Sequence, residues 1–177
     1  TLPEERNIFS RTMEMHQRNG NANAKILTYL SQTFKYPHSF GTLLFASQLL
    51  QAEAIRYGVE HFRRNRGRCM GALYWQLNDI WPVASWASID YYGRYKALQY
   101  VAKRFFAPVM ISCAEKGERT TRPDVNIQPQ RADYTTEAQL AVANETLEEV
   151  SGRVVWELRC ADGKIIREGS ADVTVPA

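Results

Sequence analysis

The sequence predicts an α/β segment that passes into antiparallel β structure, on three observations. A long helical stripe leads into a short run that is almost wholly apolar. A second amphipathic helix follows it. Beyond Val109 the apolar period shortens from three or four residues to two, the spacing of strands with one covered face.

Glu4 to Gln17 is expected to be helical, with Ile8, Met13 and Met15 loosely spaced and Arg18-Asn-Gly20 closing it. Ala24 to Phe34 carries Ile26, Leu27, Leu30 and Phe34 near helical spacing, and Tyr36-Pro37 breaks it. The strongest helix is predicted from about Thr42 to Arg66, where Phe45, Leu49, Ala52, Ile55, Val59 and Phe62 form one stripe. Arg63, Arg64 and Arg66 favour its carbonyl end, and Gly67 is placed to stop it. Glu53 and Glu60 lie mid-helix, which suits pairing along the helix.

Met70 to Gln76 then reads as a short strand covered on both faces. Alternation puts Gly71, Leu73 and Trp75 on one face and Ala72, Tyr74 and Gln76 on the other. The loop after it holds Trp81 and Trp86, so the run from 71 to 86 contains three of the four tryptophans of the chain. Indole faces suit the C–H face of a sugar ring, and the side chains of Asn78 and Asp79 suit its hydroxyls; packing a core is the competing use of the same tryptophans. Arg94 to Phe106 is the next helix, with Leu98, Val101, Ala102 and Phe105 on one side and Pro108 ending it. Helix–strand–helix is one slice of an α/β barrel, and one slice cannot close.

In the β part, Val109, Ile111 and Cys113 alternate with their neighbours, as do Leu140 and Val142, then Val154, Trp156, Leu158 and Cys160. Asp162-Gly163 is a hairpin turn signal. Residues 115–136 are polar and are expected to form a long loop. Such a pattern is the opening of an antiparallel sandwich, which needs about seven strands when complete. The boundary between the two parts falls near 107/108.

Composition narrows the functional classes. The chain has 177 residues, against about 250 for a whole (β/α)8 barrel. A net charge of +3 argues for neither nucleic acid nor an acidic membrane as partner, and no run of about 18 apolar residues occurs. Cys69, Cys113 and Cys160 have no metal-ligand spacing; they read as buried thiols, with a Cys113–Cys160 bridge as the alternative. His16, His38 and His61 are scattered, and no metal or cofactor is expected. The chain opens with no secretory signal.

The run Gly71-Ala-Leu-Tyr-Trp-Gln-Leu-Asn-Asp-Ile-Trp-Pro-Val-Ala-Ser-Trp86 resembles the final barrel strand and following loop of the β-mannosidases, in the second glycoside hydrolase family. Met15-His-Gln-Arg-Asn19, Ser47-Gln-Leu-Leu-Gln-Ala-Glu-Ala-Ile55, Gly93-Arg-Tyr-Lys-Ala-Leu-Gln99 and Arg104-Phe-Phe-Ala-Pro-Val-Met110 follow in the family's order. Asn144-Glu-Thr146 and Val155-Trp-Glu-Leu158 resemble the β domain after its barrel; the first is also a glycosylation sequon, read as strand-end structure.

The resemblance implies the last helix–strand–helix portion of a (β/α)8 TIM barrel over 1–107 and the start of an immunoglobulin-like β-sandwich over 108–177. It implies a fragment of a retaining exo-β-mannosidase that acts on terminal β-D-mannose without a cofactor. Both catalytic glutamates are expected upstream of Thr1, so no catalytic residue is assigned and the fragment alone is expected to be inactive. Trp75 matches the tryptophan that floors the subsite of the cleaved mannose, with Asn78 and Asp79 as further substrate-binding candidates. His16 and Gln17 match a family motif of no derivable role. The expected partner is a mannoside or mannose-containing oligosaccharide, and self-association is expected through the uncovered barrel surface. The compartment is not legible; a parent enzyme would be periplasmic, secreted or lysosomal. Two rival readings are a non-catalytic carbohydrate-binding or interaction module, and a piece of a related β-galactosidase or β-glucuronidase.

Overall fold

The computed structural model describes residues 1–116 and 137–177. A 3-10 turn at Pro3–Glu5 is followed by α1 (Arg11–His16), α2 (Ala22–Thr33), α3 (Phe40–Arg64) and α4 (Ala97–Phe105). Four strands come after them: β1 (Val109–Lys116), β2 (Glu137–Asn144), β3 (Val150–Arg159) and β4 (Ile165–Val175). The single helix expected over 4–17 is split. Ser10 sits at the break in extended conformation, and its hydroxyl accepts the Met13 N–H at 3.2 Å to start α1.

Helix α3 begins with a reciprocal cap. The Ser39 hydroxyl accepts the Thr42 N–H at 3.2 Å and the Thr42 hydroxyl accepts the Ser39 N–H at 3.0 Å. It ends at Asn65, two residues before Gly67, whose φ of +98° suits a residue without a Cβ. Glu53 and Glu60 are paired along the helix by Arg56, with Arg64 reaching Glu60 as well. On α4 the expected face is the buried one, with Leu98, Ala102 and Phe105 inside. These three pack on Ala52 and Val59 of α3 and on Met110 of β1 to form the core.

Residues 70–76 do not form the predicted strand. Ala72 and Tyr74 pack against the core, but no neighbour pairs with the segment as a ladder; only a bridge between Asn78 and Ile89 forms just beyond. A strand exists through its partners, and an apolar run carries no record of where those partners lie. Among the described residues there is no parallel sheet.

The β part consists of two antiparallel hairpins, β1 with β2 and β3 with β4. Asp162-Gly163 makes the second turn as expected, with Gly163 at φ +87° and its N–H bonded to the Cys160 carbonyl at 2.9 Å. Trp156 pairs with Gly169 and its indole lies on that glycine, where a Cβ would come within 2.6 Å of the ring. The covered face of β1 is the reverse of the apolar alternation. Met110 and Ser112 are buried, whereas Val109 and Ile111 are exposed, because the helices lie on the Met110 side. Of the third run, only Val154 is buried; Trp156 and Leu158 are exposed. The three cysteines are free and half-buried rather than buried. Most of the long loop expected over 115–136 lies outside the described residues.

Candidate functional site

Residues 72–75 alternate as the sequence requires. Ala72 and Tyr74 pack against the core, while Leu73 is 85% exposed and Trp75 70% exposed on the opposite face. Tyr74 fixes this orientation: its ring stacks on Phe106 and meets Phe105 edge-on, with centroids 6.2 and 6.4 Å away. Its hydroxyl lies 2.9 Å from the hydroxyl of the fully buried Ser88. The peptide between Trp75 and Gln76 is cis.

Past Trp75 the chain is held by main-chain bonds to residues 88 and 89. Ser88 N–H donates to the Gln76 carbonyl at 3.0 Å, Ile89 N–H to Leu77 at 2.8 Å, and Asp79 N–H back to Ile89 at 3.1 Å. The Lys96 N–H then joins the start of α4 to the Ser88 carbonyl at 2.9 Å. Trp75 thus stands on a stem tied to α4 on one side and to its own loop on the other.

The three substrate-binding candidates have different surroundings. Trp75 is open. Asn78 is exposed, and its amide donates to the Asp79 carbonyl at 3.4 Å. The Asp79 side chain is only 2% exposed and points into the loop. It accepts the Ser85 hydroxyl at 2.5 Å and the Lys96 ammonium at 3.3 Å. Lys96 also reaches the Ser85 carbonyl at 3.3 Å. A carboxylate so enclosed braces the loop, the alternative use that its turn-forming chemistry allows.

The other tryptophans bind the loop to the N-terminal region. Trp81 stacks on His16 at 5.7 Å with an 11° interplanar angle, and the Arg18 guanidinium lies 4.7 Å from its ring centre. His16 Nδ1 donates to the Pro82 carbonyl. Gln17 instead donates to Asn23 at 3.2 Å. The exposed Trp86 offers its carbonyl to Gln51 of α3 at 2.6 Å. Further on, burial alone would raise the Asp90 carboxyl. Hydrogen bonds from the Arg94 N–H, its guanidinium and the Tyr92 N–H outweigh that and hold it below the usual carboxylate range.

Sequence reasoning missed Ser85, Ser88 and Lys96. Each was an isolated polar residue near an apolar run, without the periodicity that marks a pair. Trp75 lines neither the cleft of about 340 Å³ beside Met70 and Phe106 nor that of about 280 Å³ between α3, α4 and β1. Among the described residues, no group of three or more His, Cys, Asp or Glu side chains is placed to hold a metal. No described helix is long and apolar enough to cross a membrane.

Residues 136–177 match the Mannosidase Ig/CBM-like domain family. A β-mannosidase from Capra hircus is 42% identical over 103 residues, covering 51% of this chain and 12% of the relative. β-Mannosidase B from Aspergillus niger is 32% identical over 163 residues, covering 90% of this chain and 19% of the relative. The solved β-D-mannosidase of Dictyoglomus thermophilum superposes with a TM-score of 0.76 at 29% identity, over 98% of this chain and 19% of that one. The chain belongs to the β-mannosidase family. It spans between about an eighth and a fifth of the length of these relatives. An exo-chitosanase from Amycolatopsis orientalis shares the fold, with a TM-score of 0.63 at 22% identity.

Proposed function

We propose that this chain is the closing portion of the (β/α)8 barrel, over 1–107, and the first part of the following β-sandwich, over 108–177, of a retaining exo-β-mannosidase. Its substrate would be a terminal β-D-mannose residue. One observation carries the reading: residues 72–75 alternate in burial, with Ala72 and Tyr74 packed against the core that α3 and α4 form and Leu73 and Trp75 open. That arrangement supports the reading, because a barrel strand packs its outer face on helices and turns its inner face and edges to other strands.

Retaining hydrolysis requires two carboxyl groups about 5–5.5 Å apart, one to attack the anomeric carbon and one to protonate the departing oxygen. In a barrel they come from the ends of different strands. Among the described residues Asp79 is committed to Ser85 and Lys96, and Glu53 and Glu60 to arginines of α3, which leaves no such pair near Trp75. Preceding strands of the intact enzyme would supply both groups. Trp75 would then form the apolar floor of the mannose site, excluding water and holding the anomeric carbon in line for attack. Asn78 is free to meet a hydroxyl, and Asp79 acts by holding the loop in place.

The test compares the 177-residue chain with the intact enzyme on chromogenic β-mannoside, β-galactoside and β-glucuronide. The expected result is turnover of the β-mannoside by the intact enzyme alone. Turnover by the isolated chain that follows the protein peak through repurification would refute the assignment of the carboxylates. Preference of the intact enzyme for another glycoside would refute the substrate.

A further inference from the structure

The arginines at the end of α3 do more than complement its dipole. Arg63 is buried, with its side chain 7% exposed, although a guanidinium leaves water only at a large desolvation cost. Its donors are engaged on the segment that joins the helices to the strands. Nη1 donates to the carbonyls of Phe105 at 2.7 Å and Ala107 at 2.8 Å, Nη2 to Pro108 at 3.5 Å, and Nε to the Glu145 carboxylate at 2.9 Å. The Phe105 carbonyl is among the last of α4, which have no partner within their own helix. Arg63 therefore caps α4 from a neighbouring helix. Only a planar, five-donor group can serve three carbonyls and a carboxylate at once.

The same contacts continue into the strands. Arg66 donates to the Asn144 carbonyl at 2.7 Å, and Glu145 N–H donates to the Pro108 carbonyl at 2.9 Å. The buried Asn144 side chain reaches the Glu148, Val175 and Pro176 carbonyls at 2.8, 3.3 and 3.1 Å, at the start of β3 and the end of β4. We infer that Arg63 is a positioning latch, fixing the β1–β2 hairpin on the helical part through the α4 end carbonyls and Glu145. The inference does not depend on the proposed substrate.

Hydrogen exchange of the whole chain, resolved by segment, tests it with Arg63→Lys, Arg63→Met and Glu145→Gln. Lysine keeps the charge but cannot reproduce the fork. Both Arg63 variants are expected to speed exchange in 109–116 and 137–144 by about tenfold or more, while the 45–60 stretch of α3 keeps its protection. Glu145→Gln is expected to act in the same place and less strongly, because Glu145 is partly exposed. Acceleration spread evenly over helices and strands would reduce Arg63 to a general contributor to stability and overturn the inference; so would no change. If the Arg63 variants do not fold, Glu145→Gln decides by the same criterion: localised acceleration supports the latch, and uniform or absent acceleration refutes it.

Discussion

Asp79 and Trp75 stand four positions apart, and only one of them faces outward. The Asp79 carboxylate is enclosed by Ser85 and Lys96, so its charge is balanced inside the loop rather than offered to a ligand. Removing one partner of a buried pair strands the other, at a cost of about 3 kcal/mol. Asp79→Asn is therefore expected to lower the unfolding free energy by about that amount, while Asn78→Ala, at an exposed position, changes it by less than about 0.5 kcal/mol. Urea denaturation of the two variants checks the contrast. Equal effects would mean that the Asp79–Lys96 pair does not brace the loop.

At the scale of elements, periodic patterns were legible and partners were not. The apolar face of α4 can be read because three or four residues per turn leave a repeated mark, and Leu98, Ala102 and Phe105 are buried as that mark requires; of the stripe expected on α3, Ala52 and Val59 are buried whereas Phe45 and Phe62 are exposed. The Asp162-Gly163 turn was equally clear, since its positive φ demands such residues. Short strands record less. Val109 and Ile111 are the more apolar set of β1, yet Met110 and Ser112 are the buried pair, because α3 and α4 pack on the Met110 side. Segment 70–77 pairs with no strand among the described residues, and its apolar run alone does not reveal this. Of the candidate site, alternation grouped Trp75 with Leu73 on one face, but neither the openness of that face nor the inward turn of Asp79 was legible.

The end of β2 offers a test at this scale. Asn144 is buried and its amide serves three carbonyls that otherwise lack this donor, while its oxygen accepts the Thr146 N–H and hydroxyl at 3.0 and 2.7 Å. Asn144→Ala is expected to cost about 2 kcal/mol, the range for leaving buried acceptors unsatisfied. Thr146→Val, which leaves the Asn144 amide contacts in place, should cost less. Denaturation midpoints at constant slope measure both.

Several large apolar side chains stand open on the described molecule. Leu73 is 85% exposed and Phe45 64% exposed, whereas Leu49 and Ile55 are half-buried. Contiguous apolar surface beyond a few hundred Å² is rare on monomers. The purified chain is therefore expected to self-associate, with a sedimentation coefficient that rises with concentration, and Leu73→Lys is expected to weaken that association. A strictly monomeric chain at all concentrations would argue for a self-contained unit and bring the binding-module reading forward.

All three scales meet at Trp75, which the 70–77 segment presents, the Asp79 loop steadies and, in the proposed enzyme, a barrel wall would enclose. The most direct measurement is the steady-state kinetics of Trp75→Ala in the intact enzyme on a chromogenic β-mannoside. A floor that positions the anomeric carbon predicts a loss in kcat/KM of about a hundredfold or more. The exposed position of the indole in the 177-residue chain predicts that the same substitution leaves the unfolding temperature of that chain within a few degrees of the parent's. Unchanged kcat/KM, or a loss matched by collapse of the fold, would contradict the assignment of Trp75 to the sugar site.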